Sequence, residues 1–197
     1  VNEGALRAAL ANGAAGLSAT AGDDAEALAA IRPLVPAVVL VPIVLHTAPG
    51  ILLTVRTDSL STHAGQVSFP GGRIERGDAD PIAAALRETE EEIGLPPNLV
   101  EVIGVLPEHL TGTGYRITPV LGLVQPPPAL RPDPREVAHV FELPLSVLLD
   151  EAAPRRERRE FRGRMREYWV VPHPEQYIWG ATAAILVNLG RMLRHAG

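Results

Sequence analysis

Residues Ser68 to Leu95, SFPGGRIERGDADPIAAALRETEEEIGL, join a Gly-Gly turn to a segment that reads as a helix and carries Glu88, Glu90, Glu91 and Glu92. On a helix, residues three and four apart share a face. Glu88, Glu91 and Glu92 then fall within an arc of roughly 100°, and Glu90 points about 160° away from Glu88 or Glu92. Ile82, Leu86, Thr89 and Ile93 form a separate stripe suited to packing on a sheet. The helix is therefore expected to have one core face and one carboxylate face, with Glu90 as a solvated charge.

Carboxylates gathered on one face repel, by about 1 kcal/mol per pair at 4 Å in water. Arg87, four residues before Glu91, can pair with it, but one guanidinium does not balance three acids. A hard divalent ion with oxygen ligands does, and Mg²⁺ or Mn²⁺ is the sensible choice where no cysteine favours a softer metal. The alternative is a solvated acidic face; the position directly after a Gly-rich turn favours the ion. Gly71 and Gly72 permit φ > 0 and a close approach of main chain to a ligand, or serve a plain tight turn.

The chain has 197 residues, 46% apolar and 21% charged, which suits one globular domain with a short extra arm. The expected division is an N-terminal helical arm over 1–33 and a main domain over 34–197. A net charge of -5 argues against a general nucleic-acid binder. Without cysteine there is no disulfide framework, thiol nucleophile or zinc–thiolate site. The longest apolar run, Ala37 to Leu45, is broken by Pro42 and falls far short of the roughly 20 residues that cross a bilayer. Glu3, Asp23, Asp24 and Glu26 make the N-terminal region unlike a signal or transit peptide, so a cytoplasmic location is expected.

In the arm, Glu3 to Ala11 and Asp23 to Ile31 read as short helices. Ala37–His46 and Ile51–Arg56 read as a hairpin turning at Pro49-Gly50, followed by a polar loop from Thr57 to Gln66 and a short segment from Val67 to Phe69. Gly94, Pro96 and Pro97 stop the helix. Val100–Leu106, Ile117–Val124, Val137–Leu143 and Tyr168–Val171 are strand candidates, and 107–116 is a Thr- and Gly-rich loop holding His109. Gln125–Pro134 reads as an extended connector, Leu145–Asp150 as a short helix and Tyr177–His195 as a final helix. The arginines between Arg155 and Arg166 suit phosphate binding or, more simply, a solvated hairpin.

Gly72, Asp78, Arg87, Glu88, Glu91, Glu92, Gly94 and Leu95 stand at the spacing of a known signature, and here the chain resembles the Nudix hydrolases. Asp78 replaces the usual Glu, and eight residues instead of seven separate it from Arg87. The upstream run ILLTVRTDSLSTHAGQVSFPGG resembles the second motif of the coenzyme A pyrophosphatases of that family, through Leu52, Leu53, Thr54, Arg56, Gly65 and Phe69 to Gly72. Thr57 and Ser61 depart from it, Ser61 standing where an Arg is expected. The likeness continues through VIGVLPEHLTGTGYRITPVLG, EVAHVFELPL and YIWGATAAIL.

The resemblance implies an α/β/α sandwich around a mixed β-sheet. It also implies hydrolysis of the diphosphate of coenzyme A or its thioesters to 3′,5′-ADP and 4′-phosphopantetheine, with Mg²⁺ or Mn²⁺ as cofactor. Glu88, Glu91 and Glu92 would hold the metal. Glu88, Glu136 and Arg87 form the expected catalytic set, with Glu88 or Glu136 as base, His109 as a weaker candidate, and Arg87 orienting Glu91. Arg56, Gly71 and Gly72 would contact substrate. Alternatives within the resemblance are ADP-ribose or a dinucleoside polyphosphate as substrate, and a non-catalytic nucleotide-binding module. The implied partner is a small molecule, not nucleic acid or membrane, and the family admits a homodimer.

Overall fold

The computed structural model describes residues 3–4, 6–8, 20–21, 33–59, 63–161 and 163–195. Of the two helices expected in the arm, Glu3, Gly4, Leu6, Arg7 and Ala8 are helical; the rest of both lies outside the described residues, as does Ser61. The strands up to the first helix are β1 (Thr20–Ala21), β2 (Val35–Val44), β3 (Gly50–Arg56), β4 (Val67–Ser68) and β5 (Gly71–Arg73). Helix α1 (Pro81–Ile93) is followed by β6 (Val100–Val105), β7 (His109–Leu110), β8 (Tyr115–Val124), β9 (Val137–Pro144) and the short α2 (Ser146–Leu149). The chain closes with β10 (Arg155–Phe161), β11 (Arg164–Val171), β12 (Ile178–Trp179) and α3 (Gly180–His195).

A mixed sheet is built outward from β2, which runs parallel to β8 along its whole length, from Val35↔Tyr115 to Val44↔Val124. The opposite edge of β2 is shared. Its first half pairs with β5 (Ala37↔Arg73 to Val39↔Gly71) and its end with β3 (Ile43↔Ile51, Val44↔Gly50). The expected hairpin exists, but only its two turn-proximal pairs are made. Pro42 sits where pairing passes from β5 to β3. The Leu40 N–H points to that edge, donating to Pro70 O at 2.9 Å, so by alternation the donor that Pro42 lacks falls in the gap.

Alternation along β2 sends Val38, Leu40 and Val44 to one face and Val41 and Ile43 to the other. The first face, with Leu52, Val120, Val124 and Val137, is covered by Ala84, Ala85 and Ile93 of α1. The second, with Ile51, Leu53, Leu121 and Leu143, is covered by Ile185, Leu186, Leu189 and Leu193 of α3. Full burial of a side chain such as Ile93 contributes about 1.5–3 kcal/mol. The result is a mixed α/β protein, a helix on each face of one large mixed sheet, with the small sheet β10-β11-β12 on the α3 side. Among the described residues no helix is long and apolar enough to cross a membrane.

The final helix begins later than the sequence suggests. Ile178–Trp179 pairs with β11, Gly180 has φ 62°, and Ile178 packs into the core from a strand instead of from α3. His109 is likewise no surface loop residue: it lies in β7 and is 2% exposed. Gly71 and Gly72, read as a turn, form a strand against β2.

Candidate active site

Helix α1 is held at both ends by local chemistry. Asp80 caps its start, accepting from the Ala83 N–H at 2.8 Å, with Pro81 in the first turn where a missing donor does no harm. At the other end Gly94 turns left-handed (φ 68°) and donates to Glu90 O. The Pro-rich connector then supplies donors to the last carbonyls: Arg131 N–H reaches Ile93 O at 2.7 Å and Asp133 N–H reaches Glu92 O at 2.9 Å. The helix is thereby fixed in rotation as well as position.

That rotation differs from the expected one. Ala84, Ala85, Thr89, Glu92 and Ile93 are buried, with Ile82 and Leu86 only partly so. Glu92, three residues beyond Thr89, rides on the edge of the core stripe and is 5% exposed, whereas the Glu91 side chain is 62% exposed. The three acids share a side of the helix but not one environment. Glu90 is exposed, as expected.

The buried carboxylate has a purpose-made neighbour. Residues 67–73 cross from β3, where Thr54 pairs with Ser68, to β2, where Val39 pairs with Gly71. The crossing is tied by Thr54 Oγ1 to Ser68 and by Thr182 Oγ1 of α3, which donates to Val67 O at 2.9 Å. Gly71 N–H then donates to Glu92 Oε2 at 3.1 Å. A Cβ on Gly71 would stand 2.2 Å from Val38 O, and one on Gly72 2.3 Å from Glu88 Oε2. Gly71 is what lets this strand lie against the β2 backbone, and at Gly72 the missing Cβ leaves room for the Glu88 carboxylate.

Two arginines serve the acids. Arg87 donates to Asp78 at 2.9 and 3.1 Å and also meets Glu88 at 2.8 Å and Glu91 at 3.2 Å. Asp78 in turn accepts from the Glu75 N–H at 2.7 Å, and its carboxyl is held below the usual range chiefly by Arg87. Asp78 thus anchors Arg87, and Arg87 spans the acids from within the protein. Arg56, at the end of β3, approaches Glu92 at 3.8 Å. Its buried Nε has no hydrogen-bond partner among the described residues.

Positive charge remains short. Burial pushes the Glu92 carboxyl up to about 7, the Gly71 N–H and Arg56 only partly opposing it while Glu136 and Glu88 add to it. Glu88 is raised for the same leading reason, with Glu91 and Glu136 contributing. An all-carboxylate donor set that is underneutralised fits a hard divalent cation. Among the described residues no three acids or histidines converge as a ready ligand set. Glu88, Glu92, Gly71, Gly72, Arg56 and Arg87 are brought together, Glu136 lies within their electrostatic reach, and Glu91 is turned outward to Arg87.

A cleft of about 450 Å³ opens on the opposite, α3 side of the sheet. Arg56, Gly71 and Gly72 border it, and its further walls come from the β7–β8 turn, β11 and the start of α3. None of the α1 glutamates lines it. The cleft includes His109, whose ring burial drives down to about 4 and so keeps neutral. Tyr115, Tyr168 and Trp179 in its walls carried no signal in the sequence, since nothing local marks residues that only topology brings together. Arg155, Arg156 and Arg158 of the hairpin pair with Glu157 and Glu167, as a solvated charged hairpin would.

The NUDIX domain model matches residues 34–177. Over 153 residues the chain is 46% identical to NudL, an uncharacterized Nudix hydrolase of Escherichia coli strain K12, covering 78% of this chain and 80% of that protein. NudL of Shigella boydii serotype 4 matches with the same figures, 46% over 153 residues. Among solved structures, a MutT/nudix family protein from Enterococcus faecalis superposes with a TM-score of 0.52 at 15% identity, over 80% of this chain and 61% of that one. This last likeness speaks for the fold, and the family match covers the β2–β9 sheet and α1 together. The chain therefore belongs to the Nudix family, whose hydrolases cut the diphosphate bond of nucleoside diphosphate derivatives.

Proposed function

We propose that this hydrolase cuts the diphosphate of coenzyme A or its thioesters, giving 3′,5′-ADP and 4′-phosphopantetheine or its acylated form. The observation that carries a diphosphate site is Arg56. Its buried Nε has no partner among the described residues, its guanidinium approaches Glu92, and it borders the same cleft as Gly71 and Gly72. A phosphate oxygen supplies the missing acceptor, and the main chain of Gly71 and Gly72 lets the anion approach without steric cost. The coenzyme A reading rests on the run Leu52–Gly72, which in the fold is β3, the polar loop, β4 and β5, the wall that carries Arg56 and both glycines.

Nudix hydrolases generally need a divalent ion such as Mg²⁺ or Mn²⁺, which supplies neutralising charge at the diphosphate oxygens. Glu88, Glu91 and Glu92 are the residues that would hold it. Arg87 keeps Glu88 and Glu91 in place and is itself held by Asp78, so it acts as a positioning residue. Glu136, exposed just before β9 and coupled electrostatically to Glu88 and Glu92, accepts the proton of the attacking water; Glu88 is the alternative base. Water adds to one phosphorus, the bond to the bridging oxygen breaks, and each product leaves as a phosphate monoester. Neutral, buried His109 is a poor base for this step.

Ser61, where the resembled motif has an Arg, favours ADP-ribose or a dinucleoside polyphosphate as second reading. A substrate panel with product identification separates them. Metal-dependent release of 3′,5′-ADP from coenzyme A is expected; turnover of ADP-ribose with coenzyme A untouched overturns the choice. The division into an N-terminal arm over 1–33 and a domain over 34–197, the homodimer that the family admits and the cytoplasmic location belong to the same proposal.

A further inference from the structure

Aromatic residues are scarce in this chain, with two Trp, three Tyr and three Phe, and they are unevenly placed. Tyr115, Tyr168 and Trp179 all line the α3-side cleft. Tyr177 packs on Trp179 at 6.3 Å between ring centroids, and Tyr168 meets Trp179 edge-on at 5.4 Å. The two tyrosine hydroxyls meet at 3.1 Å, and Tyr177 donates to Glu157 at 2.7 Å. This braces the group from behind, across strands β10, β11 and β12. Yet Trp179 keeps 36% of its surface exposed, although an indole is costly to leave in water when a core is available.

Charge in the cleft is also one-sided. Arg73 lines it together with Arg166 and with Arg56, whose guanidinium also meets Glu92 at 3.8 Å, and the acid in the lining, Glu167, is engaged by Arg156 and Arg158. Among the described residues the Arg73 guanidinium meets the hydroxyl and ring of Tyr115 and no carboxylate. A half-exposed aromatic plane in a cationic cleft is the chemistry that takes a flat, electron-rich base carrying phosphate. A flexible amide chain is a poorer match, since its planar groups are small and cover far less of an indole face than a purine does.

We infer that Trp179, braced by Tyr168 and Tyr177, is the stacking platform for the base, so that the nucleotide half of the substrate fills the α3-side cleft and the non-nucleotide half lies outside it. This rests on the proposal that the Gly71–Gly72 strand receives a diphosphate, because that strand is the wall through which cleft and carboxylates adjoin. Trp179 thereby selects the base-bearing half of the substrate without touching the reacting atoms.

Fluorescence of Trp179 tests the inference. Trp169, the other indole, stacks under Arg156 and Arg191 at 4.8 and 5.5 Å and does not line the cleft, so Trp169→Phe leaves Trp179 as the reporter. Titration with ADP or 3′,5′-ADP is expected to quench its emission, and 4′-phosphopantetheine is not. Trp179→Ala should weaken ADP binding, followed by calorimetry, about tenfold and raise KM more than it lowers kcat, while Trp179→Phe retains most of the affinity. Quenching by 4′-phosphopantetheine alone, or unchanged ADP affinity in Trp179→Ala, overturns the inference. ADP is common to coenzyme A and ADP-ribose, so a substrate panel that rejects coenzyme A leaves this result standing on its own.

Discussion

The two faces of the central sheet carry different kinds of information. On the α1 face, the acids and the glycine strand come from one continuous stretch of chain, and their geometry follows from helix periodicity and a cap at each end. On the α3 face, the cleft is assembled from β2, β5, the β7–β8 turn, β11 and α3, residues more than a hundred positions apart. On the proposed reading, the first face would carry the groups for bond cleavage and the second those for choosing a substrate. The carboxylate face, with its fixed spacing, is encoded locally here, and the cleft is encoded by topology.

The largest expected effect breaks the α1 face alone. Glu92→Gln keeps an acceptor for the Gly71 N–H but removes the buried charge, and should lower kcat about 10³-fold, equivalent to several kcal/mol of lost charge stabilisation, with the fold intact by circular dichroism. The adjacent glycines sharpen the contrast next. Gly71→Ala drives a Cβ into the Val38 carbonyl and the Val39 Cα, which cannot yield, and should cost about 3 kcal/mol in denaturant unfolding. Gly72→Ala meets only the Glu88 carboxylate, so it should reduce activity with little loss of stability.

The α3 face has its own signature in pH. Burial drives the His109 ring down to about 4 from the usual histidine range near 6.5. Above 6.5 both folded and unfolded chains hold it neutral. As pH falls toward 4 only the unfolded chain gains the proton, so stability drops, by about 2 kcal/mol between pH 7 and pH 5. His109→Gln should flatten that part of the profile measured by urea unfolding. Smallest of all, Glu167→Gln removes exposed partners of Arg156 and Arg158 and should leave Tm unchanged, since such pairs add little in water.

Much of the α1 face is legible in the sequence. The helix and its Gly94 stop, the Arg87–Glu91 pair and the strands around it follow from periodicity and turn chemistry, and the sandwich follows from the resemblance to the Nudix hydrolases. Where reading failed, a neighbour distant in sequence decided. Glu92 is buried because β5 meets it with an N–H, which no helical wheel shows. Gly71–Gly72 becomes a strand because β2 has an open edge there, and Tyr177–Trp179 leaves the final helix because β11 offers pairing. His109 reads as a loop residue in the sequence because two-residue strands leave no periodic trace.

The most direct test of a metal-holding carboxylate face is calorimetric titration of Mn²⁺ into the wild type and into Glu88→Gln/Glu92→Gln. A saturable heat in the wild type and at least a tenfold weaker affinity in the double variant are expected. Identical isotherms for the two proteins would contradict the assignment.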